Sequence, residues 1–286
     1  MNNVIGAMMA KYHPADLKER EYAVKEVIQE IVLCGLSRAG FFKQAAFYGG
    51  TALRVFYGLE RFSEDLDFSL AKTNLDFDLS KYFPTLRKEL AAYGLNMEVS
   101  EKKKTKVSAI RSAFLKGGTK EHMLMFYSPD QELMRITSGE MIKIKFEVDV
   151  DPPAGANFER KFRLLPSAYD IVLYDMPSLF AGKLHAVVCR AWQNRVKGRD
   201  LYDYLFYLSR GASVNMEHLK ARLVQSGYWK EKAALKIGDV KKMLRAKFDD
   251  VDYEKAKLDV EPFVRDKREL DLWNADFFKQ ITENLK

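Results

Sequence analysis

The stretch from residue 49 to residue 70 restricts the possible folds more than any other part of the chain. It reads as a Gly-Gly-Thr turn, a short helix, a polar connection and then a strand that carries Asp65 and Asp67. Because side chains alternate across a strand, both carboxylates project from the same face. The opposite face is apolar and predicts a strand that is at least half buried: it carries Leu66, Phe68 and Leu70.

The paired aspartates have an electrostatic consequence. At ~4 Å two carboxylates repel each other by about 1 kcal/mol in water, but by about 4 kcal/mol at an effective dielectric constant near 20. A recessed pair therefore needs a counter-charge, and hard oxygen ligands favour Mg²⁺ or Mn²⁺. Two solvent-facing aspartates would give the same pattern, and the pattern by itself leaves that simpler interpretation open.

The two glycines before the helix favour binding of an anion. Gly49 and Gly50 allow backbone N–H groups to approach a ligand closely, and the start of the helix adds its dipole. The hydroxyl of Thr51 adds another donor. Such a turn suits a triphosphate, although Gly-Gly before a helix is more often only a turn.

The remaining patterns predict an α+β amino-terminal domain, residues 1–165, and an α-helical carboxy-terminal domain, residues 166–286. In the first domain we expect helices over the first forty residues and over 79–93, and strands over 45–48, 122–127 and 141–150. The last of these strands carries four charges on one face: Lys143, Lys145, Glu147 and Asp149. After about residue 165 the pattern is almost wholly helical, with helices expected at 177–194, 199–209, 216–225, 230–247 and 270–284.

The order of these features matches a known layout. A glycine-rich turn and helix, followed about fifteen residues later by Asp-x-Asp, resembles the polymerase-β-like nucleotidyltransferases. That fold has a mixed sheet and takes a third carboxylate from a neighbouring strand. In this sequence either Glu147 or Asp149 is placed to supply it.

Two motifs are more specific. Residues 48–54 (YGGTALR) and 61–68 (RFSEDLDF) resemble the AbiEii/AbiGii toxin nucleotidyltransferases, which are MenT-like toxins of type IV, abortive-infection toxin–antitoxin pairs. Three later stretches fit the same family in the right order: 145–148 (KFEV), 183–186 (KLHA) and 197–203 (KGRDLYD). The resemblance covers roughly residues 45–210, and the last eighty or so residues carry no motif that matches.

The resemblance implies roles for individual residues. Gly49, Gly50 and Thr51 would cradle the phosphates, and Ser63 would line the loop beside them. The metal would be held by three carboxylates: Asp65, Asp67 and Glu147. Glu147 fits the family spacing better than Asp149.

The later motifs imply further roles. Lys183 would contact the triphosphate of the nucleotide, and Asp200 or Asp203 would complete the site. Without the resemblance, Lys183 reads as an ordinary surface lysine, and the two aspartates read as members of exposed ion pairs. His185 fits packing better than metal binding. The lysine-rich runs at 102–104 and 241–242 could contact RNA, but such runs are more often solvated faces.

The resemblance also implies an activity. A metal-dependent nucleotidyltransferase would move a nucleotide from an NTP to an RNA acceptor, most specifically the 3′ end of tRNA. Translation would then stop, and a partner antitoxin would restrain the toxin. Two alternatives stay open: the same chemistry on a protein or a small molecule, and a non-catalytic module of the same fold that binds nucleic acid or a partner.

Composition adds few restrictions. The formal net charge of +7 permits an anionic partner such as tRNA. The apolar runs are too short to span a membrane, and no basic leader precedes the apolar amino terminus, so we expect a soluble, cytoplasmic protein.

Overall fold

The computed structural model describes residues 3–101, 109–127, 130–137, 139–192 and 196–286. The chain divides into two compact units. The first unit comprises Met1–Ala52, Ser63–Pro152 and Arg160–Leu173; the second comprises Leu53–Phe62, Pro153–Glu159 and Tyr174–Lys286. The division into domains 1–165 and 166–286 stays a prediction. The lysine run at 102–104 lies outside the described residues.

Seven strands form one mixed sheet in the order β3-β4-β5-β2-β1-β7-β6. The pairs β1–β2, β3–β4 and β4–β5 are antiparallel, whereas β2–β5 and β1–β7 are parallel. The strands are β1 (Ala45–Tyr48), β2 (Leu66–Leu70), β3 (Glu98–Glu101), β4 (Ile110–Gly118), β5 (Met141–Asp149), β6 (Phe158–Arg163) and β7 (Tyr169–Tyr174). Together with the helical carboxy-terminal region, this sheet confirms the predicted α+β class.

Helices of the first part of the chain are α1 (Asn3–Met9), α2 (Leu17–Arg38), α3 (Gly49–Ala52), α4 (Phe83–Ala92), α5 (Thr119–Phe126) and α6 (Gln131–Met134). Those of the later part are α7 (Met176–Cys189), α8 (Gly198–Ser209), α9 (Met216–Gln225), α10 (Ile237–Asp249), α11 (Tyr253–Val260) and α12 (Ala275–Ile281). Helix α3 continues into a π-helical segment, Leu53–Tyr57. Within the described residues, no helix has both the length and the apolar character needed to cross a membrane.

An aromatic cluster fixes the orientation of β2 in the first unit. Phe68 packs edge-on against Phe41 and Phe146, with ring centroids 5.0 and 4.9 Å apart, and lies 5.0 Å from the ring of Phe47. All four rings are fully buried. Because alternate residues of a strand face opposite sides, anchoring Phe68 in the core turns Asp67 towards the other face of the sheet.

In the second unit, single residues determine how helices α7 and α8 begin. Asp175 caps α7 by accepting a hydrogen bond from the Ser178 N–H at 2.9 Å. Helix α8 begins at Gly198, where a Cβ would overlap the backbone carbonyl of Ala256 in α11. A glycine is therefore required for α8 to pack this closely on α11.

Several sequence expectations were wrong. The strand expected at 122–127 is part of helix α5, because its buried residues, His122, Met123 and Phe126, follow the helical period rather than strict alternation. Strand β7 lies in the region after residue 165 that we expected to be almost wholly helical. Strands β4 and β6 and helix α11 were not predicted either. Three predicted helices are shorter than expected: α7 ends at Cys189, α10 begins at Ile237, and α12 covers only Ala275–Ile281.

Candidate active site

Three carboxylates lie on neighbouring positions of the sheet in the first unit. Asp65 directly precedes β2 and Asp67 lies within it, and both residues are half-buried. Asp67 is in register with Tyr48 of β1 on one side and with Glu147 of β5 on the other. We refer to Asp65, Asp67 and Glu147 as the carboxylate row.

The double-glycine turn lies directly against this row. Gly49 has a φ of +82°, a conformation that favours glycine. A Cβ at this position would stand 2.7 Å from Oδ2 of Asp67. The first glycine is therefore needed both for its backbone conformation and for its close approach to Asp67.

Thr51 has a role besides the one that its motif implies. Its side chain is fully buried, and its hydroxyl donates to the carbonyl oxygen of Asp65 at 2.5 Å. Ser63 Oγ lies 2.9 Å from the Thr51 Oγ1 atom. This hydroxyl is thus used inside the protein, where it holds the segment that carries Asp65. Its expected contact with phosphate stays a prediction.

Gln29 of α2 was not identified from the sequence. Its side-chain amide is fully buried and donates to the carbonyl oxygens of Ser63 and Glu64 at 3.1 and 2.8 Å. It therefore fixes the loop that leads into Asp65. The signal that could have revealed it is a polar side chain within the apolar stripe of α2.

Both carboxylate oxygens of Glu147 have protein partners. Ser112 Oγ donates to Oε1 at 2.9 Å, and Lys145 Nζ lies 2.6 Å from Oε2. Asp149 is in register with Ser69 rather than with Asp67. The register places Glu147 next to the paired aspartates, and its role as third ligand stays a prediction.

In the second unit, Lys183 of α7 meets both aspartates of α8. Its Nζ lies 2.7 Å from Oδ1 of Asp200 and 2.8 Å from Oδ2 of Asp203. The Lys183 side chain is only 15% exposed and that of Asp203 is fully buried. The interpretations as a surface lysine and as exposed ion pairs are therefore wrong.

Two arginines complete this group. Arg61 donates to both carboxylate oxygens of Asp203, at 2.6 and 2.7 Å, and Arg190 forms an ion pair with Asp200. We call Arg61, Lys183, Arg190, Asp200 and Asp203 the buried ion cluster. Neither arginine was assigned a role from the sequence, although Arg61 opens the second of the two most specific motifs.

Mutual attraction keeps the buried ion cluster ionised. Burial disfavours the charged forms, but the nearby cations outweigh it and lower the pKa of Asp200 to about 2 and the pKa of Asp203 below its usual value. Burial likewise opposes the ammonium of Lys183, yet both aspartates raise its pKa. Since three cations balance only two carboxylates, the cluster keeps a net positive charge.

The sequence profile of the AbiEii nucleotidyl transferase toxins, of type IV toxin–antitoxin systems, matches residues 31–280. The chain belongs to the AbiEii toxin family. It is therefore a nucleotidyl transferase of a type IV toxin–antitoxin system, which confirms the enzyme class expected from the motifs.

Two crystal structures from Helicobacter pylori are similar to this AbiEii chain. JHP933 is 17% identical with a TM-score of 0.48, and the similarity covers 91% of each chain. The second, provisionally named a nucleotidyltransferase, is 17% identical with a TM-score of 0.47, covering 90% of this chain and 93% of the other. No curated protein sequence matches significantly.

The chemistry of the carboxylate row fits a divalent cation only in part. No group of three or more His, Cys, Asp or Glu side chains is arranged to hold a metal ion in the part of this AbiEii chain that the structure describes. Mg²⁺ is, however, commonly bound by one or two carboxylates together with the phosphates of a substrate. Asp65 and Asp67 suit that mode because both offer hard oxygens on one face.

Other sequence expectations concern residues outside these groups. His185 lies with Nε2 3.0 Å from Ser226 Oγ, and burial lowers its pKa to about 4, which agrees with a packing role. In α10, Lys241 and Arg245 both pair with Glu283. Their contact with RNA stays a prediction.

Proposed function

We propose that this AbiEii toxin transfers nucleotides from an NTP to the 3′ end of tRNA, blocks translation in this way, and is restrained by a cognate antitoxin. The observation that supports the chemistry is the approach of Gly49 to Asp67, together with the register of Asp67 and Glu147. A backbone turn and a carboxylate row at one place can bind the two parts of a nucleotide–metal complex. The net charge of +7 suits an RNA acceptor.

The first unit would bind the phosphates and the cation. The backbone N–H groups of Gly49 and Gly50 would donate to phosphate oxygens, with Ser63 beside them. Asp65 and Asp67 would hold Mg²⁺ or Mn²⁺, whose charge stabilises the negative charge that develops as pyrophosphate leaves. Thr51 would keep Asp65 in place through its hydrogen bond to the Asp65 carbonyl.

Glu147 would serve as the third carboxylate of the row. Lys145 and Ser112 already bond its two oxygens, so its side chain is held in one orientation next to Asp67. A fixed carboxylate beside the aspartates can accept the proton of the attacking hydroxyl or add to the negative potential that binds the cation.

Lys183 would contact the triphosphate. Two carboxylates lie within hydrogen-bond distance of its Nζ, and an ammonium has three N–H donors, so one donor has no partner among the described residues. Asp200 and Asp203 would orient the ammonium and keep it charged. The net positive charge of the buried ion cluster favours an anionic ligand.

Labelled NTPs, Mg²⁺ and total tRNA, incubated with the full chain, test this proposal. We expect label on the 3′ end of tRNA, and an at least roughly 100-fold loss for Asp67→Asn. Asp170→Asn is the matched control, because Asp170 belongs to a largely exposed ion pair with Arg160. Label on added protein or small molecules instead would identify a different acceptor, and equal activity of Asp67→Asn and the unmodified chain would overturn the proposed chemistry.

A further inference from the structure

The second unit contains a cavity of about 330 Å³ that neither the carboxylate row nor the buried ion cluster uses. Its volume lies at the lower end of the range of ligand sites, roughly 300–1,000 Å³. Six of its lining residues carry aromatic or charged groups: Glu60, Tyr202, Phe206, Arg210, Glu269 and Trp273. A space of this size suits a single ring system and its attachment better than a whole nucleoside triphosphate.

The cavity shares two chain segments with the buried ion cluster. Glu60 directly precedes Arg61, and Tyr202 directly precedes Asp203. Arg61 and Asp203 form the two-bond ion pair described above. Two of the residues that line the cavity are therefore held next to a buried, two-bond ion pair.

Aromatic groups provide a stacking surface. The guanidinium of Arg210 lies over the Phe206 ring, 5.2 Å from its centroid. The indole of Trp273 and the phenol of Tyr202 line the same cavity. Flat aromatic and guanidinium surfaces of this kind are what proteins use to hold the unstacked bases of single-stranded RNA.

Several polar groups of the cavity have unused bonding capacity within the described residues. The indole N–H of Trp273 is buried without a hydrogen-bond partner, although the residue is only 2% exposed. Neither the Arg210 guanidinium nor the Glu60 carboxylate has an ion-pair partner among the described residues. Glu269, in contrast, accepts a hydrogen bond from the Tyr202 hydroxyl at 2.8 Å. A buried donor without a partner is uncommon and is explained when a ligand supplies the acceptor.

We propose that this cavity binds one unstacked base of the RNA acceptor, an inference that rests on the proposed function. The base stacks beside Phe206 and Arg210, accepts hydrogen bonds from Arg210 and Trp273, and donates an exocyclic amino group to Glu60. A basic side chain from a protein partner fits less well, because it would bring a second cation against Arg210. Uracil is the one RNA base without an amino group, so the carboxylate of Glu60 favours cytosine over uracil.

Equilibrium binding of end-labelled oligo(C) and oligo(U), each of about twelve nucleotides, tests the proposal without NTP or metal. We expect the full chain to bind oligo(C) at least about fivefold more tightly than oligo(U). Glu60→Gln should bring this ratio close to one, and Arg210→Gln and Trp273→Phe should weaken binding of oligo(C). Glu254→Gln and Lys232→Gln remove the same charges at exposed positions that do not line the cavity and should leave the ratio unchanged.

Three results would overturn the inference. One is a ratio near one in the unmodified chain, and another is an unchanged ratio in Glu60→Gln. The third is a Glu60→Gln variant that loses affinity for CTP but not for oligo(C), since the base in the cavity would then belong to the nucleotide donor. Failure of the proposed function is distinguishable, because Asp67→Asn should lose transfer while keeping the preference for oligo(C).

Discussion

Gly49 and Asp67 lie so close together that a Cβ on Gly49 would stand 2.7 Å from Oδ2 of Asp67. The two residues come from different motifs, and antiparallel pairing of β1 with β2 brings them together. The position of the Asp67 carboxylate therefore depends on the absence of a side chain at Gly49, a residue that directly follows the neighbouring strand β1 and is not next to Asp67 in the sequence.

Gly49→Ala should reduce nucleotide transfer by at least about 100-fold. The new methyl group would push the Asp67 carboxylate away, and a displacement of about 1 Å at a reacting group can cost that much. Adopting a φ of +82° with alanine should also cost about 1 kcal/mol of stability. Transfer rates and chemical denaturation would measure the two effects separately.

Gly227→Ala is the matched control for this variant. Gly227 has a φ of +77°, and nothing lies within 4 Å of a Cβ at that position. The Gly227→Ala variant should lose a similar free energy of unfolding but keep its transfer activity. An active Gly49→Ala variant would show that the close approach to Asp67 is unimportant for catalysis.

Glu147→Gln should lower transfer by roughly 100-fold, whereas Asp149→Asn should change it by less than about threefold. Glu147 is in register with Asp67, and Asp149 lies one side-chain pair further along β5. Glutamine keeps the shape of Glu147 and its contact with Ser112, so the loss would reflect the charge. Single-turnover rates of both variants at saturating NTP would decide, and a larger loss in Asp149→Asn would reverse the assignment.

Much of the fold could be predicted where the apolar period was regular. The limits of α9 agree with the predicted helix at 216–225, and β5 agrees closely with the strand expected at 141–150, because their buried positions follow one period throughout. Strand β4 was not predicted, because small and polar residues interrupt the alternation of apolar residues in its sequence, IRSAFLKGG. Helix α5 was misread because eight residues are too few to separate the two periods.

The sequence predicted individual residues of the candidate site but not the contacts between them. Lys183, Asp200 and Asp203 each stood in a recognisable motif, but their burial depends on packing of α7 against α8, which a sequence does not show. Arg61 bonds Asp203 across a separation of 142 residues. No local pattern reports a contact at that distance along the chain.

Asp203→Asn should destabilise the protein by about 3–5 kcal/mol, because it leaves Arg61 and Lys183 buried with one carboxylate fewer. Asp170→Asn is the matched control: it also removes a carboxylate from an arginine, but the pair is largely exposed and should matter by less than about 1 kcal/mol. The free energies of unfolding from urea titrations would test the difference. Equal losses in the two variants would mean that the buried ion cluster adds nothing to stability.

Stability should fall as the pH is lowered from about 6.5 to about 4, in part because of His218. This side chain is fully buried, and burial lowers its pKa from the ordinary 6.5 to about 4, even though Nδ1 donates to the Ala154 carbonyl. Since the folded state binds its proton less readily than the unfolded state, the contribution of His218 is complete above pH 6.5 and is lost as the pH falls towards 4.

His218→Gln should therefore flatten the pH dependence, although it lowers stability at every pH. The expected loss between pH 7 and pH 4 is on the order of 2 kcal/mol larger for the unmodified chain than for the variant. His13→Gln serves as the control, because it makes the same replacement at an exposed position. Urea titrations at a series of pH values would measure the slopes, and parallel profiles for the unmodified chain and His218→Gln would show that His218 does not titrate in this range.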